Sequence, residues 1–375
     1  MTIKKIPMFG QKMFNTSRLI IQHKFHISQY FRKPVSRICN RLCSSSLEIR
    51  SSHSLVGEPC NERSIIKVEG KEASPFLQGL VTNDMNHLED GAVSMYSFIL
   101  NTQGRVLFDV VIYKKNDETF LLECDGKVSN SLAKHLKIYK VRRKLKIDCV
   151  DDDYQTWSIF EPEIDEKSIT EVDMESLYIN PKAESESVLS ITGDVEDTII
   201  TRDPRMKYLG HRLILPKSKT VTDVISDVQP STDGLYRVLR YKLGVGEGST
   251  EIPTTKCLPL EGNCDYLHGV SFHKGCYIGQ ELTARTFHTG VVRKRYMPLI
   301  FKGDISNIEY DAIVTNEKGK SVGKIRAFEG SVGIGLMRIA ECLKAQNLLV
   351  KGSDISLTTF KPAWWPIEAS KERMN

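Results

Sequence analysis

The sequence predicts an α+β protein that ends in a small β-barrel. Three observations carry this reading. Residues 64–150 run β-α-β-β-β-α-β, one strand more than a ferredoxin-like unit. A second mixed segment follows between residues 198 and 243. From Arg295 onward the pattern is strand only, with glycine-bearing turns such as the one at residues 316–319.

Residues 64–68 read as the first strand. Ser74 and Pro75 then read as a helix start, with Ser74 as N-cap and Pro75 at the first helical position. Phe76, Leu77, Leu80 and Val81 follow at helical spacing. Residues 95–100, 106–113 and 119–123 are strands, the first two joined by a turn at Thr102, Gln103 and Gly104. Val128, Leu132, Leu136 and Tyr139 fall on one helical face, and residues 145–150 return as a strand. Residues 151–187 hold twelve acids against Lys167 and Lys182, and read as a solvated surface insertion.

Strands near 198–201 and 211–215 open the second segment. Asp233 is expected to cap a helix through Leu235, Val238, Leu239 and Leu243, which Gly244 stops. Residues 296–301, 312–315, 323–327, 332–338 and 355–359 are the barrel strands.

Charge is unevenly spread. The chain carries +5, but residues 1–50 hold ten Lys or Arg and one acid, Glu48. That segment is +9, which leaves −4 on the body and argues against general nucleic-acid binding. Residues 1–46 contain no Asp or Glu, scatter Arg18, Arg32, Arg37 and Arg41 among apolar residues, and end on serines 44–46. This is the composition of a mitochondrial transit peptide, with cleavage expected between residues 35 and 55. No stretch reaches transmembrane length.

Nine cysteines at scattered positions do not suggest a disulfide framework. Cys257, Cys264 and Cys276, with His268 and His273 between them, fit no common zinc spacing. No set of four thiols marks a stable cluster site, so any cluster is expected to be held transiently or shared with a partner. No stably bound metal is expected.

Residues 274–284, KGCYIGQELTA, are the most informative stretch. An extended backbone at 273–277 puts Lys274 and Cys276 on one face. A neighbouring ammonium favours thiolate over thiol. Gly275 and Gly279 allow close approach to the backbone, and residues 280–286 read as a short helix whose free N–H groups attract an anion. The alternative is an inert cysteine in a turn.

KGCYIGQELTAR resembles the signature of the YgfZ/GcvT family, the folate-binding relatives of the glycine-cleavage aminomethyltransferase. The segments FLQGLVTND (76–84), LNTQGRVLFD (100–109), KVRRKLKI (140–147), DPRMKYLGHRLILP (203–216) and VGKIRAFEGSVGIGLMRI (322–339) resemble further family blocks. Residues 240–272 resemble the eukaryotic mitochondrial branch, and the similarity covers roughly residues 55–365.

The resemblance implies a GcvT-like ring of three subdomains, the last a β-barrel. It divides the chain into a leader (1–46), a folate-binding-type domain (55–290, with the acidic insertion 151–187) and the barrel domain (291–365). It implies an iron–sulfur cluster assembly factor of the mitochondrial matrix that matures 4Fe–4S proteins. A-type carrier proteins are the implied partners, with aconitase and radical-SAM enzymes such as lipoate synthase as clients. The alternative is a tetrahydrofolate-dependent aminomethyltransferase or other one-carbon transferase.

Carried over residue by residue, Cys276 is the functional thiol and Lys274 its cation. Asp109, Gln103, Arg105, Lys274, Tyr277 and Arg285 line the implied opening for tetrahydrofolate, with Arg293 and Arg295 as further cations for its tail. One departure stands out. Where aminomethyltransferases carry a carboxylate after the arginine matched by Arg240, this chain has Lys242, which cannot accept a hydrogen bond from a pterin ring.

Overall fold

A computed structural model describes residues 55–163, 189–303 and 305–366. The leader at 1–46 and residues 164–187 of the acidic insertion lie outside the described residues.

The first layer is built from β2 (Arg63–Glu69), β3 (Ser94–Leu100), β4 (Val106–Asn116), β5 (Thr119–Asp125) and β6 (Lys146–Cys149), in the order β3-β4-β5-β2-β6. Both faces of this sheet are covered. In β2, Ile66 and Val68 pack with Leu132 and Leu136 of the helix Ser129–Lys140, while Ile65 points into the larger core on the other side. In β5, Leu122 and Leu121 divide the same way, as the two-residue period of a strand requires.

The second sheet interleaves with the first. Its order is β10-β1-β7-β9-β8, from β1 (Leu55–Pro59), β7 (Tyr154–Phe160), β8 (Ile199–Arg202), β9 (His211–Pro216) and β10 (Val228–Pro230). The chain enters through β1, leaves to build the first layer, and returns as β7. Only the β1–β10 pair is parallel; β1–β7, β7–β9 and β8–β9 are antiparallel.

The third body is a closed six-stranded barrel, β11-β14-β13-β12-β15-β16, formed by β11 (Lys294–Lys302), β12 (Ile313–Asn316), β13 (Ser321–Glu329), β14 (Val332–Arg338), β15 (Leu348–Val350) and β16 (Ser356–Thr359). The large core is continuous from the first sheet through the helix Leu235–Leu243 into this barrel.

Three local expectations are corrected. The first helix spans Ala73–Gln78 with Glu72 at its N-cap, so Ser74 lies inside it and donates its hydroxyl to Glu89 at 2.7 Å. Pro75 remains in the first turn, where its missing N–H costs nothing. Asp233 does not cap the helix Leu235–Leu243. The cap is Gly234 in the left-handed region, and the orphan N–H groups of Leu235 and Tyr236 donate to the Glu58 carboxylate of β1, both at 2.9 Å. Finally, the acidic stretch is not all surface insertion, because its residues 154–160 are the middle strand β7, buried from Thr156 onward.

Candidate functional site

The 274–284 segment is pinned at two points. The Lys274 ammonium donates to the carbonyls of Gln78 (2.8 Å), Val81 (2.8 Å) and Asn83 (2.6 Å). All three of its N–H bonds are thereby used. The accepting loop follows the helix Ala73–Gln78 and is itself rigidly held. Asn83 donates to the carbonyls of Tyr96 and His268, each at 2.8 Å, and Thr82 donates to Gly269 at 2.6 Å. Burial pulls the Lys274 pKa down to about 8, against Asp84, which favours the charged form. The ammonium also sits 5.1 Å from the centre of the buried Tyr277 ring.

The second pin is backbone to backbone. Gly279, at φ +78, is the N-cap of the helix Gln280–Thr289. It rests against the β3–β4 turn, where a Cβ would strike the Asn101 carbonyl and come within 3.2 Å of the Gly104 Cα. Gly104, at φ +75, faces the Gly279 carbonyl and Leu282 in return. The Gln280 side chain accepts from the Tyr277 N–H at 3.2 Å, and Ile278 N–H donates to Gly79 at 3.2 Å.

Between these pins Cys276 is exposed, with no hydrogen-bonding or ionic partner among the described residues. Lys274 therefore anchors the segment that carries the thiol. Its ammonium is committed to the 78–83 loop rather than left free. Beside the thiol segment Phe272 stacks on Phe287 with ring centres 3.6 Å apart.

Gln103 is exposed at the same β3–β4 turn, and Arg105 leaves it to donate to the Lys256 carbonyl at 3.1 Å. Arg285 is exposed on the helix that follows Gly279. Gln103 thus lies on the turn that Gly279 rests against and Arg285 on the helix that Gly279 caps, whereas Arg105 turns toward Lys256 and Asp109 lies away from the segment. Asp109 is buried farther along β4, accepting from Arg63 at 3.3 Å and from the Gly248 N–H at 3.2 Å. Arg295 is not available to a ligand either. It is buried, paired through both terminal nitrogens with Asp265 at 2.7 Å, and bonded to the Leu260 carbonyl at 2.8 Å. Arg293 stays exposed, as does Lys242 on its helix.

Arg63 and Gly248, the partners of Asp109, line a cavity of about 310 Å³ together with Cys60, Tyr236, Arg240 and Glu247. None of Asp109, Gln103, Arg105, Lys274, Cys276, Tyr277 and Arg285 lines it. Its floor is a lattice of buried ions. Arg63 meets Glu123 at 2.8 Å; Arg212 bridges Glu123 (2.9 Å) and Glu247 (2.7 Å). Arg205 bridges Glu247 and Asp203, both at 2.6 Å, and Arg240 meets Glu251 at 2.6 Å. Burial alone raises the Glu247 pKa, but Arg212, Arg205 and Arg240 overrule it and hold the carboxylate well below its usual range. Cys60 lies at the edge, 3.1 Å from Arg212, and burial pushes its thiol up to about 11.

This lattice was missed from the sequence, although a signal exists. Glu123 follows the apolar run Phe120, Leu121 and Leu122, and Arg212 precedes Leu213, Ile214 and Leu215. Opposite charges at buried strand positions call for each other. Among the described residues, no group of three or more His, Cys, Asp and Glu side chains is placed to hold a metal ion. Cys257 and Cys264 are buried apart from the exposed Cys276.

Comparison with known proteins agrees with this architecture. Residues 50–170 match the family described as the GCVT N-terminal domain, and residues 293–367 match the CAF17 C-terminal beta-barrel domain. The mouse protein named "Iron-sulfur cluster assembly factor IBA57, mitochondrial" is 36% identical over 325 residues, covering 82% of this chain and 84% of the relative. Its human counterpart is 33% identical over 347 residues, covering 89% and 92%. The crystal structure of glycine cleavage system aminomethyltransferase T from Bartonella henselae superposes with a TM-score of 0.61 at 16% identity, covering 83% of this chain and 86% of that one. That last likeness establishes the aminomethyltransferase-like fold.

Proposed function

Because this chain belongs to the IBA57 family of mitochondrial iron–sulfur cluster assembly factors, we propose that it matures 4Fe–4S proteins in the mitochondrial matrix with Cys276 as its working thiol. The observation that carries this reading is the presentation of Cys276. It is exposed at a bend fixed by Lys274 on one side and Gly279 on the other. A thiol held that way reaches a partner without the chain reorganising, which is what ligand sharing needs.

The cluster is cargo. Cys276 loses its proton and supplies one thiolate to a cluster whose other ligands come from an A-type carrier protein. The stacked Phe272 and Phe287 give the carrier an aromatic contact close by. Clients of the completed cluster are aconitase and radical-SAM enzymes such as lipoate synthase. The basic, acid-free leader supports the matrix as the site of action.

Tetrahydrofolate, the cofactor implied by the fold family, fits this chain poorly. Asp109, the carboxylate meant to face the folate amine, is occupied by Arg63 and the Gly248 N–H. The remaining residues of that set do not converge on that carboxylate: Lys274 is committed to the 78–83 loop and Arg105 to the Lys256 carbonyl. Lys242 puts a cation where the pterin needs an acceptor. A one-carbon transferase has no separate support from this site.

The test is complementation. Cells lacking the protein, given the Cys276→Ser variant, should fail to recover aconitase activity and protein lipoylation. Full recovery of both would sink the proposal.

A further inference from the structure

The end of the helix Ser129–Lys140, with the turn after it, projects from the first layer and plays no part in the thiol site. Residues 134–146 carry seven cations, namely Lys134, Lys137, Lys140, Arg142, Arg143, Lys144 and Lys146, and no acid. The chain beyond residue 50 is otherwise net acidic, so the concentration is local. Among the described residues none of the seven is ion-paired. Glu69, opposite Lys146 in the β2–β6 pair, is salt-bridged to Lys67, and Glu72 accepts the Lys144 backbone N–H.

Apolar side chains crown the same tip. Ile138 is 62% exposed, Tyr139 36% and Val141 79%. Ile138 and Val141 lie off the helix's core stripe, which Leu132 and Leu136 fill; Tyr139 continues that stripe at its exposed end, with its ring centre 4.8 Å from that of His135. Val141 also sits at φ +49, where a β-branched residue is strained. The fold therefore holds a large aliphatic side chain out in water at a conformational cost.

We propose that this tip docks the protein on an anionic phospholipid bilayer. Ile138, Tyr139 and Val141 enter the interfacial layer while the surrounding Lys and Arg side chains meet headgroup phosphates. Charge complementarity and the aliphatic crown together favour lipid. Nucleic acid uses aromatic and guanidinium faces and gains nothing from exposed Ile and Val. A protein partner takes its anchors in pockets, whereas side chains this exposed project outward.

The experiment is hydrogen exchange on the full chain with phosphatidylcholine vesicles, with and without phosphatidylglycerol. Residues 1–50 are also basic, so the readout must be local. Exchange at 134–146 should slow on the anionic vesicles alone, and added salt should reverse it. The Ile138→Ser/Val141→Gly variant should bind at least about tenfold more weakly. Its Tm should be unchanged or higher, since glycine accepts the backbone of Val141. The Lys137→Glu/Arg142→Glu variant should lose the protection altogether. Vesicle binding with unchanged exchange at 134–146 would overturn the proposal, since attachment then belongs to residues 1–50. Protection of 134–146 by an acidic peptide or RNA, with none from vesicles, would overturn it as well.

Discussion

Gly279 and Gly104 cross so closely that a Cβ on the first would lie 3.2 Å from the Cα of the second. That crossing locks the thiol segment onto the β3–β4 turn. Both residues also sit at positive φ, so neither space nor backbone admits a side chain.

Gly279→Ala should therefore cost roughly 2–4 kcal/mol, from backbone strain plus overpacking. Gly275, four residues earlier, has nothing within 4 Å of a built Cβ, so Gly275→Ala should stay within about 0.5 kcal/mol of wild type. Urea denaturation of the two variants makes the comparison. Equal effects would mean that the crossing does not hold the segment.

Lys274→Met leaves three carbonyls of the 78–83 loop without their donor. A loss of about 1–3 kcal/mol is expected. Cluster delivery should fall much further, because an intact Cys276 is then no longer held in place. Lys274→Arg should not rescue delivery, since a planar fork cannot aim at the three carbonyls in turn. Near-normal delivery by Lys274→Met would remove its anchoring role.

Arg212 sits fully buried between Glu123 and Glu247, so Arg212→Met strands both carboxylates. Thermal and chemical denaturation should show a loss of about 3–5 kcal/mol. Adding Glu123→Gln should recover part of it. A strictly additive double variant would show that the two residues are not coupled.

His268 gives stability a pH dependence. It is buried with both ring nitrogens unpartnered, and burial lowers its pKa from 6.5 to about 4. Below pH 6.5 the unfolded chain takes up a proton that the folded one refuses until about pH 4. Stability is thus fully present above pH 6.5 and is lost as pH falls toward 4, by about 3 kcal/mol at the lower end. His211 contributes in the same direction through burial and Arg202. His268→Asn tolerates the φ of +56 at this position and should flatten the pH dependence by roughly half. An unchanged slope would assign the whole effect to other groups.

The sequence made the short elements legible wherever their own residues decide them. The strands between Arg63 and Cys149 are legible as short apolar runs bounded by turns, and the helix after Gly279 is present but runs on to Thr289. Contacts between distant segments were not legible. Local alternation placed Lys274 beside Cys276, yet its partners lie near residue 80, far back in the chain. Glu58 supplies the helix cap expected of Asp233 because tertiary structure brings β1 to that helix end. β7 was hidden because acids on both sides dominated the average composition around a short apolar strand. Strand β15, three residues long, is too short to announce itself, although the barrel cannot close without it.

Reconstitution with an A-type carrier tests the central claim most directly, by following 4Fe–4S formation spectroscopically with wild type and with Cys276→Ser. The docked, exposed thiol predicts that the variant binds the carrier but forms no 4Fe–4S cluster. Wild-type yield and rate from Cys276→Ser would contradict the account.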